Sequence, residues 1–354
     1  GDLGVASRTL SGQSRPRDCT LRLAPFIPAA GDFRASMKLF RHYNSVGPDL
    51  KGSAVALGNF DGVHRGHQVI VAQVVRRARA LEVPAVAITF DPHPLAVLRP
   101  DSAPALLSGI DRRAELLQEV GIDHVVVIEF TEELSRLSPQ AFVEDIIVGG
   151  LHASEVVVGA DFRFGHQAAG DVSLLSELGG QLGFGVEGVG LVGDGRERWS
   201  STAVRQRLIT GDVQGAAAVL SRPHRLDGVV VPGDQRGRDL GFHTANLSYP
   251  STMAVPADGV YAGRLALLAD DGATGQSYSA AVSIGANTTF DGTERRVEAH
   301  CLDHSDLDLY GQRVGIEFVE HLRPMQRFDS ADDLVAQVHD DVARTRVALA
   351  QAGN

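Results

Sequence analysis

Residues 58–67 read Gly-Asn-Phe-Asp-Gly-Val-His-Arg-Gly-His and contain the pattern that decides the fold of this chain. A short apolar run, residues 54–57, precedes them, and apolar residues at helical spacing follow over residues 70–81. This order predicts a strand, a glycine-rich turn and a helix. Phosphate is favoured at such a helix N-terminus, because free backbone N–H groups and the helix dipole point there. His64 and His67 would add hydrogen-bond donors; the alternative is an ordinary turn with two surface histidines.

Composition limits the classes of protein to which the chain can belong. Its 354 residues are 44% hydrophobic and 22% charged, which is typical of a soluble globular protein with at least two domains. The formal net charge of −11 argues against a nucleic-acid or membrane-surface partner, since phosphate backbones need a basic face. The two cysteines, Cys19 and Cys301, give no disulfide framework and fit the cytoplasm. No apolar run approaches the roughly 18 residues of a membrane span. A homo-oligomer is left open.

Three parts of the chain differ in pattern. Residues 1–36 lack periodicity and are interpreted as a poorly ordered extension or a remnant of cloning, with a short targeting peptide as the alternative. Residues 37–220 alternate strands with helices, which predicts a doubly wound parallel sheet whose ligands lie beyond the carboxyl ends of the strands. Residues 221–354 carry short alternating runs and one last helix, which predicts an antiparallel barrel or sandwich.

The pattern also gives approximate element bounds. In the first domain we predict strands at 84–90, 124–130, 155–159 and 186–192, with Asp111, Ser138 and Asp171 as helix N-caps. In the second domain we predict strands at 227–231, 261–268, 278–284, 296–302 and 313–318, and a helix capped by Ser330. The apolar stripe of that helix comprises Leu334, Val338, Val342 and Leu349.

Two further segments of the first domain can reach the sheet edge that carries the histidines. Residues 158–165 read Val-Gly-Ala-Asp-Phe-Arg-Phe-Gly, and their aromatic rings can stack on a planar base or a flavin. Residues 198–205 read Arg-Trp-Ser-Ser-Thr-Ala-Val-Arg, where the hydroxyls are helix caps or phosphate ligands. Arg205 alone would be interpreted as a solvated helix charge. Together with the histidine turn, these residues favour a polyphosphate clamp.

Four motifs in this order resemble the bacterial bifunctional riboflavin kinase/FMN adenylyltransferase (FAD synthetase) family. They are G-x-F-D-G-x-H-x-G-H (58–67), T-F-D-P-H-P (89–94), D-F-R-F-G (161–165) and S-S-T-x-x-R (200–205). The resemblance implies a nucleotidylyltransferase domain over 37–220 that transfers AMP from ATP to FMN with Mg²⁺. It implies catalytic His64 and His67. It also implies phosphate binding by Gly58, Phe60, Gly66, Ser201, Thr202 and Arg205, and flavin binding by Asp161, Phe162 and Arg198. His93 is interpreted as bracing its turn.

The second domain carries its own candidate site. Residues 228–247 are rich in glycine and end in Thr244 and Asn246, whose oxygens suit Mg²⁺, although a glycine-rich barrel loop is the alternative. Residues 296–300 read as a strand with Glu298 and His300 on one face. If Val297 faces the core, Glu298 can act as a general base; a solvated strand carboxylate is the alternative.

This domain resembles the riboflavin kinase module of the same family, through R-G-R-x-L-G-F-x-T-A-N-L (236–247), V-E-A-H (297–300) and Leu322-Arg323. The resemblance implies phosphorylation of the riboflavin ribityl 5′-hydroxyl by ATP over 221–354. It implies Thr244 and Asn246 as metal ligands and Glu298 as base. It also implies phosphate binding by Gly233, Arg236 and Gly241, and flavin binding by Arg323.

The chain departs from the family pattern at four positions, all in the second domain. His243 replaces a proline, Thr288 replaces a proline, His304 replaces an aromatic residue and Met325 replaces a glutamate. A proline at 243 would pre-set the backbone ahead of the metal ligands, so we expect a working kinase with reduced rate or metal affinity. Two alternatives to a bifunctional enzyme remain: an adenylyltransferase whose barrel only binds flavin, and a flavin-sensing regulator.

Overall fold

The computed structural model describes residues 37–47, 50–195, 197–233, 244–269, 274–289, 292–304 and 307–353. The predicted extension, residues 1–36, lies outside the described residues, and so do Arg236, Gly241 and His243. No helix within the described ranges combines the length and the apolar character needed to cross a bilayer.

A six-stranded sheet with the order β1-β4-β3-β2-β5-β6 forms the first domain, and every pair of neighbours in it is parallel. Its strands are β1 (Lys38–Phe40), β2 (Ala54–Leu57), β3 (Ala85–Asp91), β4 (His124–Glu129), β5 (Glu155–Gly159) and β6 (Gly185–Val189). All four residues of β2 are buried, as expected for a central strand with helices on both faces. The predicted doubly wound parallel sheet is confirmed, whereas the three-residue β1 was missed because so short a run carries no periodicity.

The helices around this sheet follow the cap signals closely. They are α1 (Arg65–Leu81), α2 (Pro94–Leu98), α3 (Ile110–Glu119), α4 (Glu132–Ser135), α5 (Pro139–Phe142), α6 (Val172–Leu182), α7 (Ser201–Ile209) and α8 (Val213–Leu220). Ser138 and Asp171 are N-caps, as predicted. The prediction for Asp111 is wrong: Gly109 is the N-cap of α3, and Asp111 lies in its first turn, where a carboxylate still favours the helix dipole. After α5 the chain continues as a π-helix over Val143–Gly150.

A closed barrel with the order β10-β11-β8-β7-β12-β9 forms the second domain, which confirms the antiparallel barrel. Its strands are β7 (His224–Val231), β8 (Thr244–Ser248), β9 (Gly259–Leu268), β10 (Thr274–Thr289), β11 (Gly292–Cys301) and β12 (Arg313–Arg323). Strand β8 was missed, because its residues had been assigned to a glycine-rich loop. Cys301 is a buried thiol whose pKa is raised to about 11 by burial.

Helices α7 and α8 of the first domain also pack against the barrel. Their apolar residues, among them Val204, Leu208 and Leu220, pack in the same core cluster as the barrel residues Leu265 and Phe318. A short parallel bridge between Leu106 and Met253 adds backbone hydrogen bonds between the halves. The segment that carries the predicted phosphate ligands of the first domain therefore lies against the barrel.

The last helix, α9 (Ala331–Ala352), packs on the barrel through a partly polar face. Ser330 caps it, as predicted. Its buried residues include Asp341, which accepts two hydrogen bonds from Arg323 on β12, from Nε at 2.9 Å and from Nη2 at 2.7 Å. The predicted apolar stripe did not include this buried ion pair, which binds the helix to the barrel.

We expect Arg323→Met to lower the free energy of unfolding by about 3 kcal/mol, because it leaves the Asp341 carboxylate buried without its cation. Urea unfolding measures this change. Arg346→Met is the matched control, since Arg346 makes a similar ion pair with Asp303 on the exposed surface, and we expect no measurable loss there. Equal losses in the two variants would contradict the role of the buried pair.

Candidate active sites

The histidine turn is a strained segment held by its surroundings. Phe60 and Val63 have left-handed backbone torsions, with φ of 48° and 39°, and Gly62 has φ of 77°. Positive φ is unfavourable for bulky residues, above all for β-branched valine. Both non-glycine side chains are fully buried, so packing holds the strained conformation. This turn directs His64 to the N-cap position of α1.

His64 and His67 form a stacked pair at the N-terminus of α1. Their ring centroids lie 3.7 Å apart at an interplanar angle of 23°, and Phe60 contacts His67 edge-on. The His64 Nδ1 accepts a hydrogen bond from the His67 backbone N–H at 3.3 Å, so the neutral ring carries its proton on Nε2. Among the described residues, the buried Nδ1 of His67 has no hydrogen-bond partner. An unpaired buried polar atom of this kind fits a site that binds a polar ligand.

The imidazole pair lies in a cluster of arginines. Burial, and then the cations of Arg198, Arg222 and Arg205, lower the pKa of His64 to about 3. Burial, followed by His64 and Arg113, lowers the pKa of His67 as well. Both rings are therefore neutral at physiological pH before an anion binds. In a chain with a net charge of −11, such a local cluster of cations is compatible with the predicted phosphate site.

Asp61 connects the histidine turn to the segment 200–205. Its carboxylate accepts hydrogen bonds from the backbone N–H groups of Leu107 at 2.9 Å and Ser108 at 3.0 Å, and it is paired with Arg205. Ser201 donates to the Asp61 carbonyl oxygen at 2.9 Å. Two of the predicted phosphate ligands, Ser201 and Arg205, are thus brought to the turn by one acidic residue. Thr202 is exposed in the first turn of α7, which Ser200 caps.

The predicted flavin ligands also meet. Arg198 donates to Asp161 at 2.6 Å, and both side chains are about half exposed. The rings of Phe162 and Phe164 stack 5.7 Å apart.

His93 caps α2 by accepting from the Leu95 N–H at 3.2 Å, so it braces its turn as predicted.

Close packing explains two glycines of the predicted phosphate site. A Cβ on Gly66 would lie 2.9 Å from both the His64 ring and the Trp199 carbonyl oxygen. A Cβ on Gly58 would lie 3.3 Å from the Phe60 ring. Gly66 is therefore the position at which α1, the histidine ring and the segment before α7 approach most closely.

The candidate kinase site lies on one face of two neighbouring barrel strands. In the register of β8 and β11, Asn246 faces Glu298 and Thr244 faces His300. The intervening Val297 and Ala299 are buried in the barrel core, which confirms the predicted faces of this strand. The candidate metal ligands and the candidate base therefore occupy adjacent positions on the same surface.

Gly233 lies directly against this group. A Cβ there would lie 2.0 Å from the Asn246 amide nitrogen. Any residue other than glycine at 233 would therefore displace the Asn246 side chain. A cavity of about 520 Å³ is lined by Gly233 and Asn246 and also by Tyr249, Met253 and Arg296. Arg236 and Gly241 fall outside the described residues. Arg323 lies on β12 in its ion pair with Asp341, and its contact with flavin stays a prediction.

The polar group on β8 and β11 offers few ligands for Mg²⁺. Within the described ranges, no three His, Cys, Asp or Glu side chains cluster as a metal site would require. Magnesium bound together with a nucleotide needs only one or two protein oxygens, because phosphates and waters supply the rest. The Thr244 hydroxyl and the Asn246 amide oxygen, next to Glu298, fit that arrangement.

Sequence reasoning missed three residues of the first site. Asp61 stood in the quoted motif, where a carboxylate in the turn that follows a buried strand was a usable signal. Arg113 is 3% exposed, donates to Thr89 at 2.9 Å and faces Asp61 at 3.8 Å. Arg222 donates to the backbone of the histidine turn. Neither arginine has a local pattern that indicates these contacts.

A parallel sheet with a histidine turn and a closed barrel with a polar strand face together define a protein with a nucleotidylyltransferase domain and a riboflavin kinase barrel. Residues 47–203 match the FAD synthetase family and residues 220–349 match the riboflavin kinase family. The chain belongs to the bifunctional riboflavin kinase/FMN adenylyltransferase family and carries both of its domains.

Individual relatives cover almost the whole chain. The bifunctional riboflavin kinase/FMN adenylyltransferase of Pseudomonas fluorescens is 37% identical over 319 residues, which are 90% of this chain and 100% of the relative. That of Escherichia coli K12 is 35% identical over 312 residues, which are 88% of this chain and 97% of the relative. A crystal structure described as a macrolide-efflux protein from Streptococcus pneumoniae is similar in fold, with a TM-score of 0.77 and 32% identity over 88% of this chain and 98% of its own.

We expect Gly66→Ala to slow FMN adenylylation by about 10–100-fold, because the added methyl group displaces the His64 ring. Steady-state rates of FAD formation from FMN and ATP measure the loss. Gly180→Ala is the matched control: it lies in α6 with no atom within 4 Å of its added methyl group. Full activity in Gly66→Ala would contradict the close approach at this glycine.

We expect the free energy of unfolding to fall between about pH 7.5 and about pH 5.5, partly because of His64. Below the ordinary pKa of 6.5 the unfolded chain binds a proton there, whereas the folded chain does so only near 3. In His64→Asn, which keeps an N-cap acceptor, the fall should be smaller by about 1.4 kcal/mol. Urea unfolding at the two pH values measures it, and identical falls in both proteins would contradict the buried neutral imidazole.

Proposed function

We propose that this chain makes FMN from riboflavin at the barrel and FAD from FMN at the parallel sheet, using ATP at both sites. Membership of the bifunctional family supports both activities. The observation that carries the residue assignment is the presence of two separate polar groups, one around His64 and His67 and one around Asn246 and Glu298. Cytoplasmic location and assembly into a homo-oligomer stay predictions.

At the sheet, a phosphate oxygen of FMN attacks the α-phosphorus of ATP, and the bond to the leaving pyrophosphate breaks. His64 and His67 donate hydrogen bonds to the phosphates as charge develops on the leaving group. Ser201, Thr202 and Arg205 hold the β- and γ-phosphates. Gly58, Phe60 and Gly66 shape the backbone that approaches ATP, and Asp161, Phe162 and Arg198 bind FMN. No covalent enzyme intermediate is needed, since positioning and charge stabilisation suffice.

At the barrel, the ribityl 5′-hydroxyl of riboflavin attacks the γ-phosphorus of ATP, and ADP leaves. Glu298 accepts the hydroxyl proton as general base. Thr244 and Asn246 would hold Mg²⁺, which neutralises phosphate charge when bound. Gly233, Arg236 and Gly241 bind the phosphates, and Arg323 binds the flavin. The sequence retains Thr244, Asn246 and Glu298 despite its departures at 243, 288, 304 and 325, so we propose an active kinase.

An incubation of the pure protein with riboflavin, ATP and Mg²⁺, resolved by chromatography, separates the alternatives. FAD supports two active sites. FAD formed only when FMN is supplied supports an adenylyltransferase with a flavin-binding barrel. Neither product supports a flavin-sensing regulator.

We expect Glu298→Gln to lower FMN formation by about 10²–10⁴-fold, because the proton of the attacking hydroxyl loses its acceptor. Conversion of FMN to FAD should stay within about twofold of wild type, since the imidazole pair is untouched. His67→Ala should show the reverse, with FAD formation slowed by about 10²–10³-fold and FMN formation kept. Loss of both activities in either variant would contradict two separate sites.

A further inference from the structure

The segment that joins the two domains lies across the histidine turn. Gln68 on α1 donates from Nε2 to the carbonyl oxygens of Val63 at 3.0 Å and Leu220 at 3.2 Å, and to the Ser221 hydroxyl at 2.9 Å. The carbonyl of Val63 and the end of α8 are thus held by one amide. The start of the barrel domain therefore lies in direct contact with the turn that carries His64.

Arg222, the next residue, makes the stronger contact. Its Nη1 donates to the carbonyl oxygens of Val63 at 3.2 Å and Leu220 at 2.9 Å, and its Nη2 donates to the carbonyl oxygen of Gly62. Gly62 and Val63 are the two positive-φ residues that immediately precede His64. One guanidinium therefore bonds both carbonyls of the strained part of the turn.

The space beside this guanidinium is too small for several water molecules to replace its hydrogen bonds. The crevice beside it, between Gly62, Leu107 and His224, holds about 10 Å³, at the limit of what one water needs. Burial lowers the pKa of Arg222 only to about 10, so the group stays charged at physiological pH. The side chain of Arg222 is partly buried, and the carboxylates of Glu119 and Glu115 favour its charged form. Its hydrogen bonds go to backbone carbonyl oxygens of the strained turn, so it holds that backbone directly.

We propose that Arg222 is a positioning residue for FMN adenylylation: by bonding the carbonyls of Gly62 and Val63, it fixes the turn that presents His64 and His67 to ATP. This inference rests on the proposed role of the two histidines. It makes the adenylyltransferase site incomplete without a residue from the start of the barrel domain. The kinase site on β8 and β11 does not depend on this contact.

A double-mutant cycle in the full-length protein tests the proposal. Arg222→Met keeps the length of the side chain and removes its donors. We expect it to slow FAD formation from FMN by about tenfold or more, while riboflavin phosphorylation stays within about twofold. In a His64→Ala/His67→Ala background, measured on its residual rate, the same substitution should cost less than about a further twofold, because both groups that it positions are absent. A general loss of stability would instead add to the effect of the two histidine substitutions.

Glu115→Gln is the matched control for contact between the domains. Glu115 on α3 accepts from Arg225 on β7 at 3.0 Å, so this variant weakens an inter-domain bond that does not touch the turn. We expect its FAD formation to stay within about twofold of wild type. Equal losses in Glu115→Gln and Arg222→Met would show that domain contact in general matters, and would overturn the proposal.

The remaining outcomes separate the inference from the proposed function. If His67→Ala alone retains full FAD formation, the proposed role of the histidines fails, and the positioning role fails with it. If His67→Ala is inactive and Arg222→Met is not, only the inference is overturned. Should Arg222→Met not fold, Arg222→Lys enters the same cycle. Lysine keeps the charge but not the planar fork, and we expect a smaller loss that again disappears when both histidines are replaced by alanine.

Discussion

The buried carboxylate of Asp61 is the interaction on which the adenylyltransferase site depends. It is 1% exposed and bonds the backbone of Leu107 and Ser108, the side chain of Arg205, and, at longer range, Arg113. An ionised carboxylate is stable inside a protein only when hydrogen bonds and opposite charges compensate it. Because its partners come from three different segments, the charge of Asp61 can be satisfied only when the turn, the 107–108 loop and α7 have assembled correctly.

The two domains are joined by more than the chain that connects them. Helices α7 and α8 pack their apolar side chains into the barrel core, while the start of α7 bonds the histidine turn. The pair formed by Glu115 and Arg225 and the bridge between Leu106 and Met253 add polar contacts at the same boundary. The barrel thus serves as a packing surface for the helices that complete the first site, in addition to carrying a site of its own.

The sequence predicted local structure and motifs well, and long-range contacts poorly. Strand β5 and the caps Ser138 and Asp171 were predicted correctly, because each depends on a few neighbouring residues. The face of Glu298 followed from strand alternation alone. The contacts of Arg222 with a turn about 160 residues earlier have no local signature, since only the fold brings the two together. Strand β8 alternates polar and apolar residues as a half-buried strand does, but it was missed because it ends a glycine-rich segment that was interpreted as a loop.

The close stacking of His64 and His67 makes it unfavourable to protonate both rings. Two protonated imidazoles at the observed 3.7 Å would repel by roughly 4 kcal/mol at an effective dielectric of 20. Arg198 and Arg205 already supply fixed positive charge, and each is balanced by a nearby aspartate. The pair is therefore neutral, and the N–H that the His64 ring keeps on Nε2 is a hydrogen-bond donor that needs no added proton to meet an anion.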